Sequence, residues 1–236
     1  MNIAWIQKTT FIDYPGKIAT VIFTAGCNFR CRFCHNPENV LPEQIREQNP
    51  YNISEDAFFA FLEKRKNVLD AVVICGGEPT LQPDLYEFAS KVKQRWFLVK
   101  LDSNGRDVNI VQKLLDNNLL DYVAMDIKNT IEKYGITANI KITEEYLQNF
   151  YAMLDLLKSG VVDYEFRTTV SKWYHNQEDM HQIWQLLQWA NRYVIQNFKA
   201  GKTLDPHFDG ESFTPQELIE FKQIMQQYIP DVSIRD

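Results

Sequence analysis

The chain has 236 residues, of which 45% are hydrophobic and 24% charged, and its formal net charge is -6. This size and composition are typical of a globular protein with a substantial core, which argues against a disordered or fibrous protein. The acidic balance and the lack of a long basic cluster argue against a nucleic-acid-binding protein. The sequence shows no export signal and no apolar run near the roughly 18 residues of a membrane span. We therefore expect a cytoplasmic protein that binds neither nucleic acid nor a membrane.

Apolar, β-branched runs alternate along the chain with segments of helical periodicity. The predicted strands are 19–24, 71–75, 97–102, 122–126, 164–170 and 193–198. The predicted helices are 54–66, 84–94, 108–117, 143–158 and 176–189. Ser54 and Thr143, each followed by acidic residues, are typical helix starts. Near the end of the chain, Thr214 opens a further helix, and residues 232–234 form a short apolar run.

This alternation predicts a parallel sheet with crossover helices. Six strand–helix units are too few for a closed eight-stranded barrel. We therefore predict an α/β fold, a partial (β/α)6 TIM-like barrel with parallel strands and outer helices. No linker or internal repeat divides the sequence, so we expect a single domain over residues 1–236 with a C-terminal helical appendage at about 207–236.

Residues that carry chemistry follow or end most of the predicted strands. They are Cys27, Cys31 and Cys34 after the first strand, Gly76, Gly77 and Glu78 after the second, Asp102, Ser103 and Asn104 at the third, Asp126 and Lys128 at the fourth, and Arg167 within the fifth. The carboxyl ends of parallel strands are where such folds place their active sites. We therefore predict that these residues contribute to one site.

Three of the four cysteines lie within eight residues, in the loop GCNFRCRFCHNP. Thiolates are soft ligands that suit zinc or iron–sulfur clusters. A structural zinc site usually takes two separated ligand pairs, whereas one compact loop favours a cluster with three protein ligands and one open iron. The fourth cysteine, Cys75, fits a buried thiol at a strand end, although a non-catalytic zinc or iron–sulfur module that uses all four cysteines stays an alternative.

The loop CNFRCRFC, with the aromatic Phe33 before the third cysteine, resembles the radical S-adenosylmethionine superfamily. This resemblance implies a 4Fe-4S cluster on Cys27, Cys31 and Cys34, S-adenosylmethionine on the open iron, and reductive cleavage to a 5'-deoxyadenosyl radical.

The same resemblance implies roles for the residues at the other strand ends. The motif Gly76-Gly77-Glu78-Pro79 is similar to the one that meets the methionine end of the cofactor in this superfamily. Asp102-Ser103-Asn104 resembles the segment near the ribose and carboxylate, and Asp126-Ile127-Lys128 resembles a DxK segment. Lys128 is then a partner for the carboxylate, and Asp102 with Asp126 a candidate site for a monovalent cation. Arg167 is equally compatible with a cofactor contact and with a salt bridge of the fold.

A longer pattern narrows the resemblance. Asp13-Tyr14-Pro15-Gly16 before the cysteine loop, His35-Asn36-Pro37 after it and Gly201 to Pro206 resemble the short glycyl-radical-enzyme activating enzymes, in particular those that serve the anaerobic ribonucleoside-triphosphate reductase. This implies an oxidoreductase that takes a hydrogen atom from a glycine of a partner protein, with Asp13 and His35 as candidate contacts to the glycine loop.

The lack of further clustered cysteines implies an external electron donor such as flavodoxin or ferredoxin. Tyr14 departs from the glycine of many relatives. A radical enzyme acting on a small molecule, similar to 7-carboxy-7-deazaguanine synthase, stays the alternative within the enzyme class.

Overall fold

The computed structural model describes residues 1–41 and 53–235, which contain eight strands and seven α-helices. In chain order the strands are β1 (Ile3–Thr10), β2 (Ala19–Thr24), β3 (Ala71–Gly76), β4 (Leu98–Ser103), β5 (Tyr122–Asp126), β6 (Asp163–Val170), β7 (Arg192–Asn197) and β8 (Asp231–Arg235). The helices are α1 (Glu55–Arg65), α2 (Leu85–Lys93), α3 (Val108–Asp116), α4 (Ile131–Ala138), α5 (Glu144–Lys158), α6 (Gln177–Leu186) and α7 (Pro215–Gln226). None of the helices in these ranges is long and apolar enough to cross a membrane.

The strands are hydrogen-bonded to one another in chain order, from β1 to β8. β1 is antiparallel to β2, whereas β2 with β3, β3 with β4, β6 with β7 and β7 with β8 are parallel. Because β1 and β8 are the two ends of this order, the sheet is not closed. The predicted α/β class, with parallel strands and intervening helices as in a partial barrel, is confirmed.

All six predicted strands are present, each within one residue of its predicted bounds. The prediction missed β1, because its pairing with β2 shifts register between Ile3 and Trp5 and again between Gln7 and Thr10, which disrupts the alternation of buried and exposed residues. It also missed α4, an eight-residue helix that contains Gly135 and three β-branched residues. The predicted end of α6 was wrong, since the helix ends at Leu186 and Trp189 takes a left-handed backbone conformation.

The described chain forms two compact units. Unit 1 comprises Met1–Asn28, Asn36–Ser103 and Asp107–Val123, and unit 2 comprises Phe29–His35, Asn104–Arg106 and Ala124–Asp236. The apolar run at 232–234 belongs to β8, which pairs with β7, so the end of the described chain is part of the sheet. The single domain with a C-terminal helical appendage at about 207–236 stays a prediction.

Unit 1 buries both faces of its parallel strands, which is why all six residues of β2 are buried. On one face, Tyr14 packs in a cluster of side chains from β2, β3 and β5. On the other, the helices contribute Phe58 and Phe88, whose rings stack with centroids 5.5 Å apart.

Unit 2 places an aromatic cluster between α4 and α5. Tyr134 lies 5.8 Å from Tyr146 and 5.2 Å from Phe150, measured between ring centroids. All three side chains are buried, so α4 is held by packing despite its weak helix propensity.

Candidate functional site

In unit 1, the turn after β3 is joined by backbone hydrogen bonds to the residues that precede the cysteine loop. The amide of Gly77 donates to Thr24 O at 2.9 Å, and the amide of Glu78 donates to Gly26 O at 2.8 Å. A Cβ on Gly77 would lie only 2.0 Å from Gly26 O, and Gly76 has a φ of +125°. The two glycines are therefore required by the close approach of the two backbones at this turn.

Glu78 links the ends of β3 and β4. Its side chain is buried, and Oε1 accepts hydrogen bonds from Thr80 N at 3.1 Å, Thr80 Oγ1 at 2.7 Å and Ser103 Oγ at 2.9 Å. The structure thus brings together two residues that the sequence predicted for one site from separate strand ends. Three donors hold one carboxylate oxygen in a fixed position.

Asp102 is paired with a lysine that sequence reasoning missed. Lys100 Nζ lies 2.7 Å from Asp102 Oδ1, and both side chains are buried. Nζ also lies 5.6 Å from the centroid of the Tyr122 ring. The signal in the sequence was a lysine two residues before an aspartate in an otherwise apolar strand, since that spacing puts both side chains on one face.

Asn39 is a buried polar residue whose side-chain atoms have no hydrogen-bond partner among residues 1–41 and 53–235. Its exposed fraction is 0%. Its backbone oxygen accepts from Gly26 N at 2.7 Å and would lie 2.7 Å from a Cβ on Gly77. An unpaired buried amide is costly, so it points to a bound molecule that supplies the missing hydrogen bonds.

Asp13 lies at the other end of β2 from Cys27. The loop that carries Asp13 joins Thr10 to Ala19, which are paired at the start of β2, whereas Cys27 follows the end of that strand. A six-residue strand spans about 20 Å. Asp13 accepts a hydrogen bond from Thr10 Oγ1. Its role as a contact to a partner protein stays a prediction.

In unit 2, Asp126 lies between two cations. Lys128 Nζ lies 2.8 Å from Asp126 Oδ2, and Arg167 Nε contacts Oδ1. Burial alone would raise the pKa of Asp126, but the charges of Arg167 and Lys128 outweigh burial and hold that pKa well below its usual range. Burial opposes the charge on Lys128 as well, yet Asp126 raises the Lys128 pKa above its usual value. The three groups therefore stay charged at neutral pH.

This triad bears on two expectations from the sequence, the role of Arg167 and the monovalent cation. Arg167 makes the salt bridge of the fold, which leaves a cofactor contact as a prediction. Asp102 and Asp126 both carry cationic partners within their own units, so the monovalent cation stays a prediction as well.

The part of the cysteine loop that belongs to unit 2, Phe29–His35, is held by α4 and by the segment after β7. Arg30 N donates to Ala138 O at 3.0 Å, and Cys31 Sγ lies 3.8 Å from the same oxygen. Burial raises the pKa of the Cys31 thiol to about 11, although the neighbouring charge of Lys128 lowers it. This thiol is therefore protonated at neutral pH and must lose its proton to bind a metal.

Phe33 and His35 both pack against aromatic rings. Phe33 is buried, and its ring centroid lies 5.6 Å from that of Tyr174. The His35 ring stacks on Phe198 with centroids 5.1 Å apart, and its Nδ1 lies 3.3 Å from Lys202 O. Since a carbonyl only accepts, this contact puts a proton on Nδ1.

His175 is a buried residue beside Lys128 that sequence reasoning assigned no role in a site. Nδ1 accepts from Ser171 N at 3.3 Å, and Nε2 lies 2.9 Å from Lys128 O. Burial lowers the pKa of His175 to about 4, so the ring is neutral and donates from Nε2. It fixes the backbone on which Lys128 is carried.

Comparison with known proteins identifies the family of this arrangement. The model of the radical SAM superfamily matches residues 21–190, which is more than half of the chain. The chain belongs to the radical S-adenosylmethionine superfamily. A radical SAM methyltransferase structure from Sphaerobacter thermophilus shares the fold, with a TM-score of 0.68 and 12% identity over 96% of this chain and 68% of that one.

Two relatives place this radical SAM protein more narrowly. A protein of Methanocaldococcus jannaschii, provisionally named a glycyl-radical enzyme activating enzyme, is 35% identical over 99% of this chain and 95% of its own length. The pyruvate formate-lyase-activating enzyme of Listeria monocytogenes is 34% identical over 134 residues, which cover 52% of this chain and 51% of that enzyme. The chain therefore belongs with the glycyl-radical enzyme activating enzymes.

Radical SAM proteins carry a 4Fe-4S cluster and S-adenosylmethionine, and the residues of this chain fit both. All four cysteines are outside disulfides, three of them in one loop. The glycines of the Gly76-Gly77 turn let the backbone before Glu78 lie against Gly26 at the start of the cysteine loop, and Asn39 presents an unsatisfied amide next to this turn. In the described ranges, no three His, Cys, Asp or Glu side chains are grouped to hold a single metal ion.

Proposed function

We propose that this protein is an activating enzyme that cleaves S-adenosylmethionine reductively and takes a hydrogen atom from a glycine of the anaerobic ribonucleoside-triphosphate reductase. The observation that carries this proposal is the relationship to the M. jannaschii protein, because it extends over nearly the whole of both chains. The choice of partner is supported by the segments Asp13–Gly16 and Gly201–Pro206, whose sequences resemble the activators of that reductase.

Cys27, Cys31 and Cys34 are the proposed ligands of the cluster, and Cys75 is not one of them. Cys75 is partly buried and packs against the apolar cluster of unit 1, which supports a packing role at the strand end. When bound, the cluster and S-adenosylmethionine supply one electron and a carbon-centred acceptor strong enough to take a hydrogen atom from a glycine α-carbon.

In unit 1, Glu78 is the proposed acceptor for the ammonium of the methionine end. Ser103 and Thr80 hold the glutamate oxygen in place, and the glycines before it let the backbone approach closely. Asp102 and Asn104 stay candidates for the cofactor ribose.

In unit 2, Lys128 is the proposed cation for a carboxylate. It is kept charged by Asp126, and its backbone is fixed by the Nε2 donor of His175. A charged ammonium on a fixed backbone can bind and orient an anionic group without a change in protonation. Asp126 and Arg167 position it.

The partner protein supplies the glycine, and an external protein such as flavodoxin or ferredoxin supplies the electron. After three cysteines are assigned to the cluster, Cys75 alone is left, and one thiol does not hold a second cluster. Asp13 and His35 are the proposed contacts to the glycine loop.

The test is anaerobic reconstitution of the wild type and of two variants, Cys34→Ala and Cys75→Ala, followed by reduction with S-adenosylmethionine. We expect Cys75→Ala to keep the iron–sulfur absorption and the cleavage to 5'-deoxyadenosine, and Cys34→Ala to lose both. Retention of one zinc without cleavage in the wild type would support the non-catalytic module instead.

Mixing the reduced enzyme with the ribonucleotide reductase then tests the partner. We expect a glycine-centred doublet in the electron paramagnetic resonance spectrum. A doublet that forms with pyruvate formate-lyase but not with the ribonucleotide reductase would show that the proposed partner is wrong. Turnover of a small molecule without any doublet would favour a deazapurine-type synthase.

A further inference from the structure

The segment 203–213, called the strap below, runs along the cysteine loop and is hydrogen-bonded to its backbone. Leu204 N donates to Cys34 O at 2.9 Å, and Asp205 N donates to Arg32 O at 3.0 Å. These two bonds hold the carbonyls on both sides of Phe33. The strap therefore fixes the direction in which the chain arrives at Cys34.

A salt bridge reinforces this backbone pairing. Arg32 Nε lies 2.7 Å from Asp205 Oδ2. The other oxygen of Asp205 accepts from His207 N at 2.9 Å, and Thr203 Oγ1 donates to Asp205 O at 2.7 Å. Because both carboxylate oxygens are engaged, Asp205 is oriented toward Arg32 by its own loop.

Phe208 is the apolar contact between the strap and the cysteine loop. Its ring centroid lies 6.2 Å from that of Phe33 and 5.8 Å from that of Tyr174. The guanidinium carbon of Arg32 lies 5.7 Å from the Phe208 ring and 5.7 Å from the Trp173 ring. A planar guanidinium can stack on these rings while its Nε donates to Asp205, whereas a lysine ammonium has no planar face to stack.

The other end of the strap is tied to the ends of β6 and β7. Asn197 donates from Nδ2 to Phe213 O at 2.9 Å and accepts from Phe213 N at 3.0 Å, and Lys172 N donates to Glu211 O at 3.0 Å. The strap is thus anchored at the last residue of β7 and just beyond the end of β6, and it reaches from there to the cysteine loop.

We propose that the strap is a positioning element for the cysteine loop, with Arg32 and Asp205 as the positioning pair and Phe208 as its apolar anchor. A metal-binding loop functions when its ligands are held within a fraction of an ångström by a supporting shell of contacts. The inference goes beyond the proposed function, because it holds whichever partner protein is served.

Hydrogen exchange on the metal-free protein tests the strap without any cofactor. The variants are Asp205→Asn, which keeps the shape of the side chain but removes its charge, and Asp205→Glu, which keeps the carboxylate on a longer side chain. The control is Asp231→Asn, because the Arg192–Asp231 pair is also a half-exposed Arg Nε–aspartate contact, at 3.0 Å, in the same unit. We expect exchange at residues 29–36, 204 and 205 to rise about tenfold in Asp205→Asn, less in Asp205→Glu and not in the control.

The reconstituted protein provides the second readout, the rate at which a chelator removes iron. We expect Asp205→Asn and Phe208→Leu to release iron about tenfold faster than the wild type and the control, while the melting temperatures of Asp205→Asn and the control agree. Arg32→Lys keeps the positive charge without the planar group, so its rate of iron release should lie between those of the wild type and Asp205→Asn.

Three outcomes would overturn the proposal. The first is an amide exchange rate at residues 29–36 of Asp205→Asn equal to that of the wild type, and the second is an equal rise in that rate in Asp231→Asn. The third is a rise throughout unit 2 and not in the loop alone. None of them depends on activity toward a partner. Failure of the strap is thus distinguishable from failure of the proposed function.

Discussion

At the residue scale, acid–lysine pairs two positions apart recur at the ends of two strands. Lys100 pairs with Asp102 inside β4, where a period of two puts both side chains on one face. Asp126, the last residue of β5, pairs with Lys128 just beyond the strand end. The sequence placed Asp126 and Lys128 among the residues of one site and did not single out Lys100. Lys100 lies between the apolar residues Val99 and Leu101, and its pairing with Asp102 is visible only in the folded structure.

The pH dependence of stability reports on His175. Its pKa is about 4 in the folded protein and 6.5 in the unfolded chain, so the unfolded chain binds more protons at pH 5. The stability contribution of the neutral ring is present above pH 6.5 and is lost as the pH falls toward 4. We expect the wild type to lose about 2 kcal/mol more than His175→Gln between pH 7.5 and 5. Urea unfolding at the two pH values measures this, and equal losses in the two proteins would contradict the buried neutral ring.

Replacing Asn39 should raise the stability of the metal-free protein and weaken the binding of S-adenosylmethionine. Asn39→Leu removes a buried amide without a partner among the described residues, so the free energy of unfolding of the metal-free protein should rise by about 1 kcal/mol. The same change removes the groups proposed to meet the cofactor, so S-adenosylmethionine should bind the reconstituted variant more weakly. Urea unfolding and equilibrium dialysis measure the two effects. A less stable variant with unchanged binding would show that Asn39 has a structural role.

At the element scale, the turn after β3 depends on glycine. A Cβ on Gly77 would lie 2.0 Å from Gly26 O and 2.7 Å from Asn39 O, and both atoms are backbone and cannot rotate away. Gly201 provides a matched control, because its Cβ would meet nothing within 4 Å.

We expect Gly77→Ala to lower the free energy of unfolding by about 3 kcal/mol or more, and Gly201→Ala to change it by less than about 0.5 kcal/mol. Thermal and urea unfolding of the two variants decide this. A Gly77→Ala protein as stable as Gly201→Ala would show that the turn relaxes, and the close approach of Gly26 would then not explain the motif.

The helices and strands of this chain were predictable where the burial of their residues follows a regular pattern along the whole element. The fully buried β2 was placed at its observed bounds, because a continuous apolar run has few alternatives. By contrast, β1 and α4 depend on tertiary contacts: β1 on an irregular antiparallel pairing with β2, and α4 on the packing of Tyr134 against α5. Local propensity carries little information about such elements.

At the scale of the whole molecule, the sequence pointed to the residues at the strand ends but not to the groups that lie around them. Cysteine spacing and the Gly-Gly-Glu-Pro turn are local patterns, so they are visible in the sequence. His175, Asn39 and the Arg32–Asp205 pair act through residues distant in the chain, and only the folded structure brings them together. The family membership of the whole chain agrees with the prediction from its motifs.

Hydrogen abstraction from a glycine of the partner protein can be followed with an isotope label. The ribonucleotide reductase is labelled with α-deuterated glycine and mixed anaerobically with the reduced, reconstituted enzyme and S-adenosylmethionine. We expect one deuterium in the 5'-deoxyadenosine formed, and none when the radical-bearing glycine of the partner is replaced by alanine. Unlabelled 5'-deoxyadenosine formed at the same rate with both partners would contradict hydrogen abstraction from that glycine.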